Sequence, residues 1–214
     1  MSALEMAGIL AKAAFGPSAA KRYPNPLTAH QRWMVALPAI LTERYHGPSH
    51  TTLYPLKRID ATVQRLRLEE SWGVTDAQTL HSTLDWLATE GHRGGMVQVL
   101  GHSPVAWDFV RYADVVRSGF GAGYVDEGQA WHLLGRTIAP VSQAYESWAD
   151  FAADYLAGRR IWMQGVDPDF GSAHQDHTEK TATRLLDWTN SASPWRQVPW
   201  QAIRHPDHWL EPRN

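Results

Sequence analysis

The segment Pro104–Ser118 (PVAWDFVRYADVVRS) is the strongest constraint on how this chain can fold. Placed at about 100° per residue, Val105, Phe109, Tyr112, Ala113 and Val116 share one face, and Ala106 and Val110 widen it. A helix with so little surface left for solvent has to be enclosed by other elements. The sequence therefore predicts a buried central helix, and the rest of the chain must supply apolar stripes to cover it.

Those stripes are present, and they recur at helical spacing. Ser2 with Glu5, Thr28 with Gln31, and Thr75 with Gln78 have the spacing of a capping box, in which a side-chain oxygen satisfies a free N–H of the first helical turn. Ser103, Asp126 and Ser147 are further N-cap candidates. Helices are expected at Ala3–Phe15, at Ala29–Tyr45 with a kink or break at Pro38, at Pro55–Trp72 and at Asp76–Glu90. In the third, Leu56, Ile59, Val63 and Leu66 form the stripe and Gly73 is a left-handed terminus; in the fourth, Leu80, Leu84 and Leu87 form it. Met96–Leu100 reads equally as strand or helix. After the central helix, Gly119, Gly121 and Gly123 predict a helix-to-helix elbow, with Phe120 and Tyr124 between them.

The next helix, Glu127–Tyr145, carries Trp131, Leu134, Ile138, Val141 and Tyr145 and is expected to bend at Pro140. A helix from Ser147 places Trp148, Phe151, Tyr155 and Trp162 on one side, and Gly158 leaves room for another backbone. Gly165–Ser172 reads as a linker, followed by a helix at Ala173–Thr189 with Thr181, Leu185 and Trp188 inward. From Asn190 the chain is irregular, and Trp195, Trp200 and Trp209 predict a tail draped on the body, because exposed tryptophans are an aggregation hazard. Period-2 strands bounded by turn pairs are missing. The fold class is all-α, a single domain over residues 1–214 of about seven to eight helices, with an irregular Trp/Pro-rich tail.

Composition narrows the function classes. A net charge of −2 gives no global basic field to attract nucleic acid or an anionic membrane. With no cysteine there is no disulfide, thiol nucleophile or thiolate metal site. The longest apolar run, Trp33–Leu41, is far short of the roughly 20 residues of a membrane span, and the N-terminus lacks the basic start of a secretory signal. A cytoplasmic location is expected. The 11 tryptophans read chiefly as packing anchors, since most fall at helical spacing from other apolar residues.

Several stretches share a pattern with a known family: LTERYHG (Leu41–Gly47), EESWGVTD (Glu69–Asp76), LDWLATEGHR (Leu84–Arg93), AWDFVRYADVVRSGFGAGYVDEGQAW (Ala106–Trp131), SWADFAADYLAGRRIW (Ser147–Trp162) and SPWRQVPW (Ser193–Trp200). Through them the chain resembles the bacterial family known as Domain of Unknown Function 1266, over residues 24–200. Residues 1–23 and 201–214 lie outside the resemblance. It implies a compact bacterial domain, and it carries no activity, cofactor or catalytic residue to transfer.

The polar positions inside these stretches are Glu70, His92, Asp108 and Arg111. Brought together, a carboxylate and a histidine can act as general acid and base while an arginine holds an anionic group. The competing reading is a structural network in which Asp108 pairs with Arg111 at i, i+3. Trp72, Trp107, Tyr124 and Trp131 are the candidate binding aromatics. His174, Asp176 and His177 form an H-x-D-H run that His205 and His208 repeat; imidazoles beside a carboxylate suit a cation, yet neither run has the H-E-x-x-H arrangement. The GFGAGY elbow has neither the preceding strand nor the Lys-Ser ending of a phosphate loop, and Arg159-Arg160 is too small for a nucleic-acid patch. No cofactor is expected. The sequence points first to a protein- or peptide-interaction module, and alternatively to a small hydrolase or transferase acting on a phosphorylated or nucleotide-like substrate through Glu70, His92, Asp108 and Arg111.

Overall fold

Capping residues, glycines and prolines divide the chain into helices where backbone chemistry requires it. The computed structural model describes residues 27–46, 53, 61–164 and 168–203, and among them there is no strand. The expected helix at Ala3–Phe15, the positions of Leu56 and Ile59, and His205, His208 and Trp209 lie outside the described residues.

Helix α1 (Ala29–Ala36) opens on the expected capping box: Thr28 Oγ1 accepts from the Gln31 N–H at 3.1 Å, and the Gln31 side chain accepts from the Thr28 N–H at 3.0 Å. Pro38 breaks the chain before α2 (Ala39–His46). Helix α3 (Ala61–Trp72) ends on Gly73 at φ +65°. Its core contact is Leu68, with Val63, whereas Leu66 is only half-buried. Helix α4 (Ala77–Thr89) is capped by Asp76 and Thr79, one residue later than the Thr75–Gln78 spacing predicted. The Asp76 carboxylate accepts from the Thr79 N–H at 2.8 Å, and a charged oxygen is the stronger cap. Met96–Leu100 is helical: a 3₁₀ turn at Arg93–Met96 runs into α5 (Val97–Leu100).

The central helix, α6 (Val105–Ala122), is longer than expected. It continues through Gly119 and Gly121 and stops at Gly123, φ +79°, so the elbow shortens to the four residues 123–126. Gly119 instead lies against α4, where a Cβ would come within 2.5 Å of Leu80. The next helix divides into α7 (Glu127–Gly135), with its Asp126–Gln129 capping box, and α8 (Ile138–Ala144). The break falls at Arg136–Thr137, upstream of Pro140. Proline then occupies the first turn of α8, where no N–H is needed.

Helix α9 (Trp148–Gln164) follows, its first turn capped by Ser147, whose Oγ accepts from the Asp150 N–H at 3.1 Å. Helix α10 (Pro168–Leu186) begins inside the expected linker and ends early, which leaves Trp188 80% exposed and not inward. The described part of the tail, with α11 (Pro194–Gln197) and a 3₁₀ turn at Trp200–Ile203, packs on the body as expected.

Helix α6 lies between α3, α4 and α9 and also touches α7 and α8. Its residues from Ala106 to Gly119 are buried, apart from the half-buried Arg111. Helix α9 comes close at Gly158, where a Cβ would meet Trp107 Cβ at 2.8 Å. A second part of the core joins both ends of the described chain: Trp148 stacks on Trp195 at 5.2 Å and meets Trp200 edge-on at 4.8 Å, and Trp33 lies 5.3 Å from Trp200. The indoles of Trp148 and Trp195 donate to the carbonyls of Val198 and Ala36, so these rings are buried with their N–H groups satisfied. Among the described residues no helix is long and apolar enough to cross a membrane.

Candidate functional site

The turn between α4 and α5 brings His92 and Arg93 onto the first turns of α6. Helix α4 reverses at Gly91, φ +59°, with its N–H on the Trp86 carbonyl at 2.8 Å. Only glycine fits there: a Cβ would lie 2.0 Å from Asp108 Oδ2, and the backbone is left-handed. The reversal aims the next two N–H groups at Asp108, which is 0% exposed. Oδ1 accepts from the His92 N–H at 3.1 Å, and Oδ2 accepts from the Arg93 N–H at 2.9 Å and from Arg93 Nη1 at 3.0 Å. The same guanidinium donates to the carbonyls of Leu87, Ala88 and Thr89 at 2.5, 2.8 and 2.9 Å. Arg93 thereby closes the carbonyl end of α4, where a cation is favoured, while Asp108 neutralises it.

The expected Asp108–Arg111 pair is therefore secondary. Arg111 Nη1 is 4.0 Å from Asp108 Oδ1 and 3.5 Å from His92 Nδ1. Its guanidinium carbon lies 3.2 Å from the centre of the Trp107 ring and 5.0 Å from that of Trp162. The two rings are 6.0 Å apart and inclined at 45°, and Arg111 sits in the angle between them. Burial pulls its pKa down to about 10, against the opposing pull of Tyr155 and Asp108. His92 is held below its ordinary value, first by burial and then by the Arg111 charge.

Around His92 the aromatic rings form a frame. Trp162, Trp86 and Trp72 meet it edge-on at 4.6, 4.7 and 6.1 Å. Trp86 and Trp162 remain 37% and 43% exposed, although each has one side against the histidine. Beneath them Trp107 is fully buried, with its Nε1 unpartnered among the described residues, and Tyr155 lies 5.4 Å from it.

A separate cluster fixes where α6 begins. Ser103 supplies no side-chain cap; the Ala106 N–H donates to the Tyr145 hydroxyl at 2.7 Å and to Asp154 Oδ2 at 3.2 Å. Tyr145 in turn donates to Asp154, and His102 Nε2 meets the other carboxylate oxygen at 2.7 Å. A carboxylate at a helix N-terminus is favoured by the free N–H groups there. The hydrogen bond to Asp154 raises the His102 pKa, and burial together with its own hydrogen bond to Asp154 raises that of Tyr145.

Of the four polar candidates, the structure brings together His92, Asp108 and Arg111. Glu70 is exposed on α3 and takes part in none of the described hydrogen bonds or ion pairs around them. Among the aromatic candidates, Trp72 and Trp107 belong to the site. Tyr124 and Trp131 lie past the other end of α6, where Arg65 covers the Tyr124 ring at 5.8 Å and Trp131 Nε1 donates to Glu127 at 3.2 Å. His174 is half-buried and Asp176 and His177 exposed, and no three metal-ligating side chains are grouped among the described residues.

Arg93, Trp86 and Trp162 escaped the sequence reading. Trp86 carried a signal, since it falls off the Leu80–Leu84–Leu87 stripe and must face outward. Trp162 is in register with the buried stripe of α9 and stands in the last turn of that helix, at the edge of the core.

Residues 96–200 match the family described as "Protein of unknown function (DUF1266)". The matched stretch holds Trp107, Asp108, Arg111, Tyr155 and Trp162; Trp72, Trp86, His92 and Arg93 precede it. The three upstream stretches on which the resemblance drew, Leu41–Gly47, Glu69–Asp76 and Leu84–Arg93, also fall outside it. No curated protein and no solved structure matches the chain.

Proposed function

We propose that this chain, which belongs to the DUF1266 family through residues 96–200, is a binding protein whose tryptophan-framed surface around His92 and Arg111 receives a protein or peptide partner. One observation carries the reading: Trp86 on α4 and Trp162 on α9 come from distant parts of the chain to flank one histidine, and both keep over a third of their surface in solvent. Rigid aromatic rings left exposed around a central polar group are typical anchors of a protein interface.

A hydrolase or transferase working through Glu70, His92, Asp108 and Arg111 has less support. Both oxygens of Asp108 are engaged by Arg93 and by backbone N–H groups, which leaves it poorly placed to take a proton from a substrate. Glu70 stands outside the cluster.

The test is a comparison of captures from native lysate by the wild-type chain and by the Trp86→Ser/Trp162→Ser double variant. A reproducible partner retained by the first and lost from the second is expected. No reproducible partner, or the same partners on both, would overturn the reading.

A further inference from the structure

We infer that the group recognised at this site is an oxyanion carried beside an aromatic or apolar body, as in an acidic or phosphorylated peptide, with the anion on the free edge of Arg111 and the body on Trp86 and Trp162. This rests on the binding role proposed above and adds the chemistry of what is bound.

The geometry of Arg111 is the first support. Packing at 3.2 Å on Trp107, with Trp162 inclined beside it at 5.0 Å, covers a face of the guanidinium and leaves its edge to meet a ligand. Among the described residues its hydrogen-bond and ion-pair contacts are His92 Nδ1 at 3.5 Å and Asp108 Oδ1 at 4.0 Å, and both are made by Nη1. A planar fork held by packing, whose remaining N–H groups make no hydrogen bond among the described residues, is preorganised for a carboxylate or phosphate.

Charge is the second. Asp108 is the nearest carboxylate, and it is committed to Arg93 at 3.0 Å and to two backbone N–H groups. Arg159, buried on α9, adds a further cation: it and Arg111 both act on the hydroxyl of Tyr155, which lies against Trp107. The other carboxylate near Tyr155, Asp114, is tied to Arg67 at 2.6 Å. Positive charge thus exceeds negative charge beneath the tryptophan frame.

Unused hydrogen-bonding capacity is the third. Trp107 Nε1 and Arg159 Nε are buried donors with no acceptor among the described residues. Arg32 Nε, Trp33 Nε1 and Trp200 Nε1 are likewise unpartnered among the described residues, but only Trp107 and Arg159 lie beside Arg111 or Tyr155, where unmet donors and an excess of cations both favour an anion.

The experiment is an NMR titration of the full ¹⁵N-labelled chain. It follows the indole N–H signals with N-acetylphenylalanine (a carboxylate beside a ring), phenyl phosphate (a phosphate beside a ring) and the neutral N-acetylphenylalaninamide. Saturable shifts of Trp86 and Trp162 are expected with at least one anion, bound about tenfold more tightly than the amide, and the stronger of the two identifies the oxyanion. Arg111→Lys keeps the charge and loses the fork, so that preference should fall about tenfold. Should Arg111→Lys not fold, raising the salt concentration on the wild-type chain must shrink the preference of the anion over the amide. Equal binding of all three compounds, no binding of either anion, or a preference indifferent to both Arg111→Lys and salt would overturn the inference. Partner capture that is lost in the Trp86/Trp162 variant but survives Arg111→Lys would leave the binding role standing and remove the anion from it.

Discussion

The Asp108 carboxylate holds Arg93 twice, by its backbone N–H at 2.9 Å and by its guanidinium at 3.0 Å. The same guanidinium closes three carbonyls at the end of α4. One residue pair therefore joins the end of α4 to the first turns of α6 and sets His92 in place beside Arg111.

Removing the cation should be severe. Arg93→Met leaves a fully buried carboxylate without its counter-charge and three helix-end carbonyls unpaired, and should cost about 3–5 kcal/mol in urea unfolding. Arg160→Met, which breaks an exposed pair with Glu179 of similar length, should cost less than about 1 kcal/mol. Comparable losses in the two variants would contradict the assigned role of Arg93.

Two left-handed glycines separate backbone strain from collision. At Gly73, φ +65°, nothing lies within 4 Å of a Cβ, so Gly73→Ala should cost only the roughly 1–2 kcal/mol of a left-handed alanine. At Gly91 the same strain is joined by a contact 2.0 Å from Asp108. Thermal unfolding of Gly91→Ala should fall well below that of Gly73→Ala; equal midpoints would mean that Asp108 can move aside.

The two histidines should titrate in opposite directions from the ordinary 6.5. Burial and Arg111 lower His92, so the unfolded chain takes up that proton first. Its contribution to stability is complete above about pH 6.5 and is lost as pH falls toward the folded value. The Asp154 hydrogen bond raises His102, whose contribution is complete below 6.5 and is lost as pH rises through the folded value. Imidazole NMR signals followed against pH check both, and Arg111→Gln should move His92 upward while leaving His102 in place.

Tyr145→Phe removes the hydroxyl that accepts from the Ala106 N–H and donates to Asp154. A loss of about 1–3 kcal/mol is expected, because the remaining acceptor, Asp154 at 3.2 Å, is the weaker partner of that N–H. Faster amide hydrogen exchange at Ala106 in the variant would locate the effect, and unchanged exchange there would refute it.

Much of the architecture was legible because it is local. A capping oxygen, a left-handed glycine and a proline without a donor act within four residues, so α1, the end of α3 and the start of α7 could be read directly. Misreadings came where two local signals competed or where distant packing intervened. Asp76 displaced Thr75 as a cap, and α6 ran on through Gly119, where Leu80 occupies the space a side chain would need.

The site divides in the same way. The sequence alone determined an all-α chain, a buried α6, and the presence of His92, Asp108 and Arg111 as polar groups inside otherwise apolar stretches. It placed Arg111 three residues from Asp108 and made that the natural pair. Tertiary structure chose Arg93 instead, because the reversal at Gly91 delivers two N–H groups and a guanidinium to one carboxylate from 15 residues away. It also decided which tryptophans are core and which frame the site. Helical periodicity records only which side of a helix a ring is on, whereas burial depends on where the neighbouring helices end.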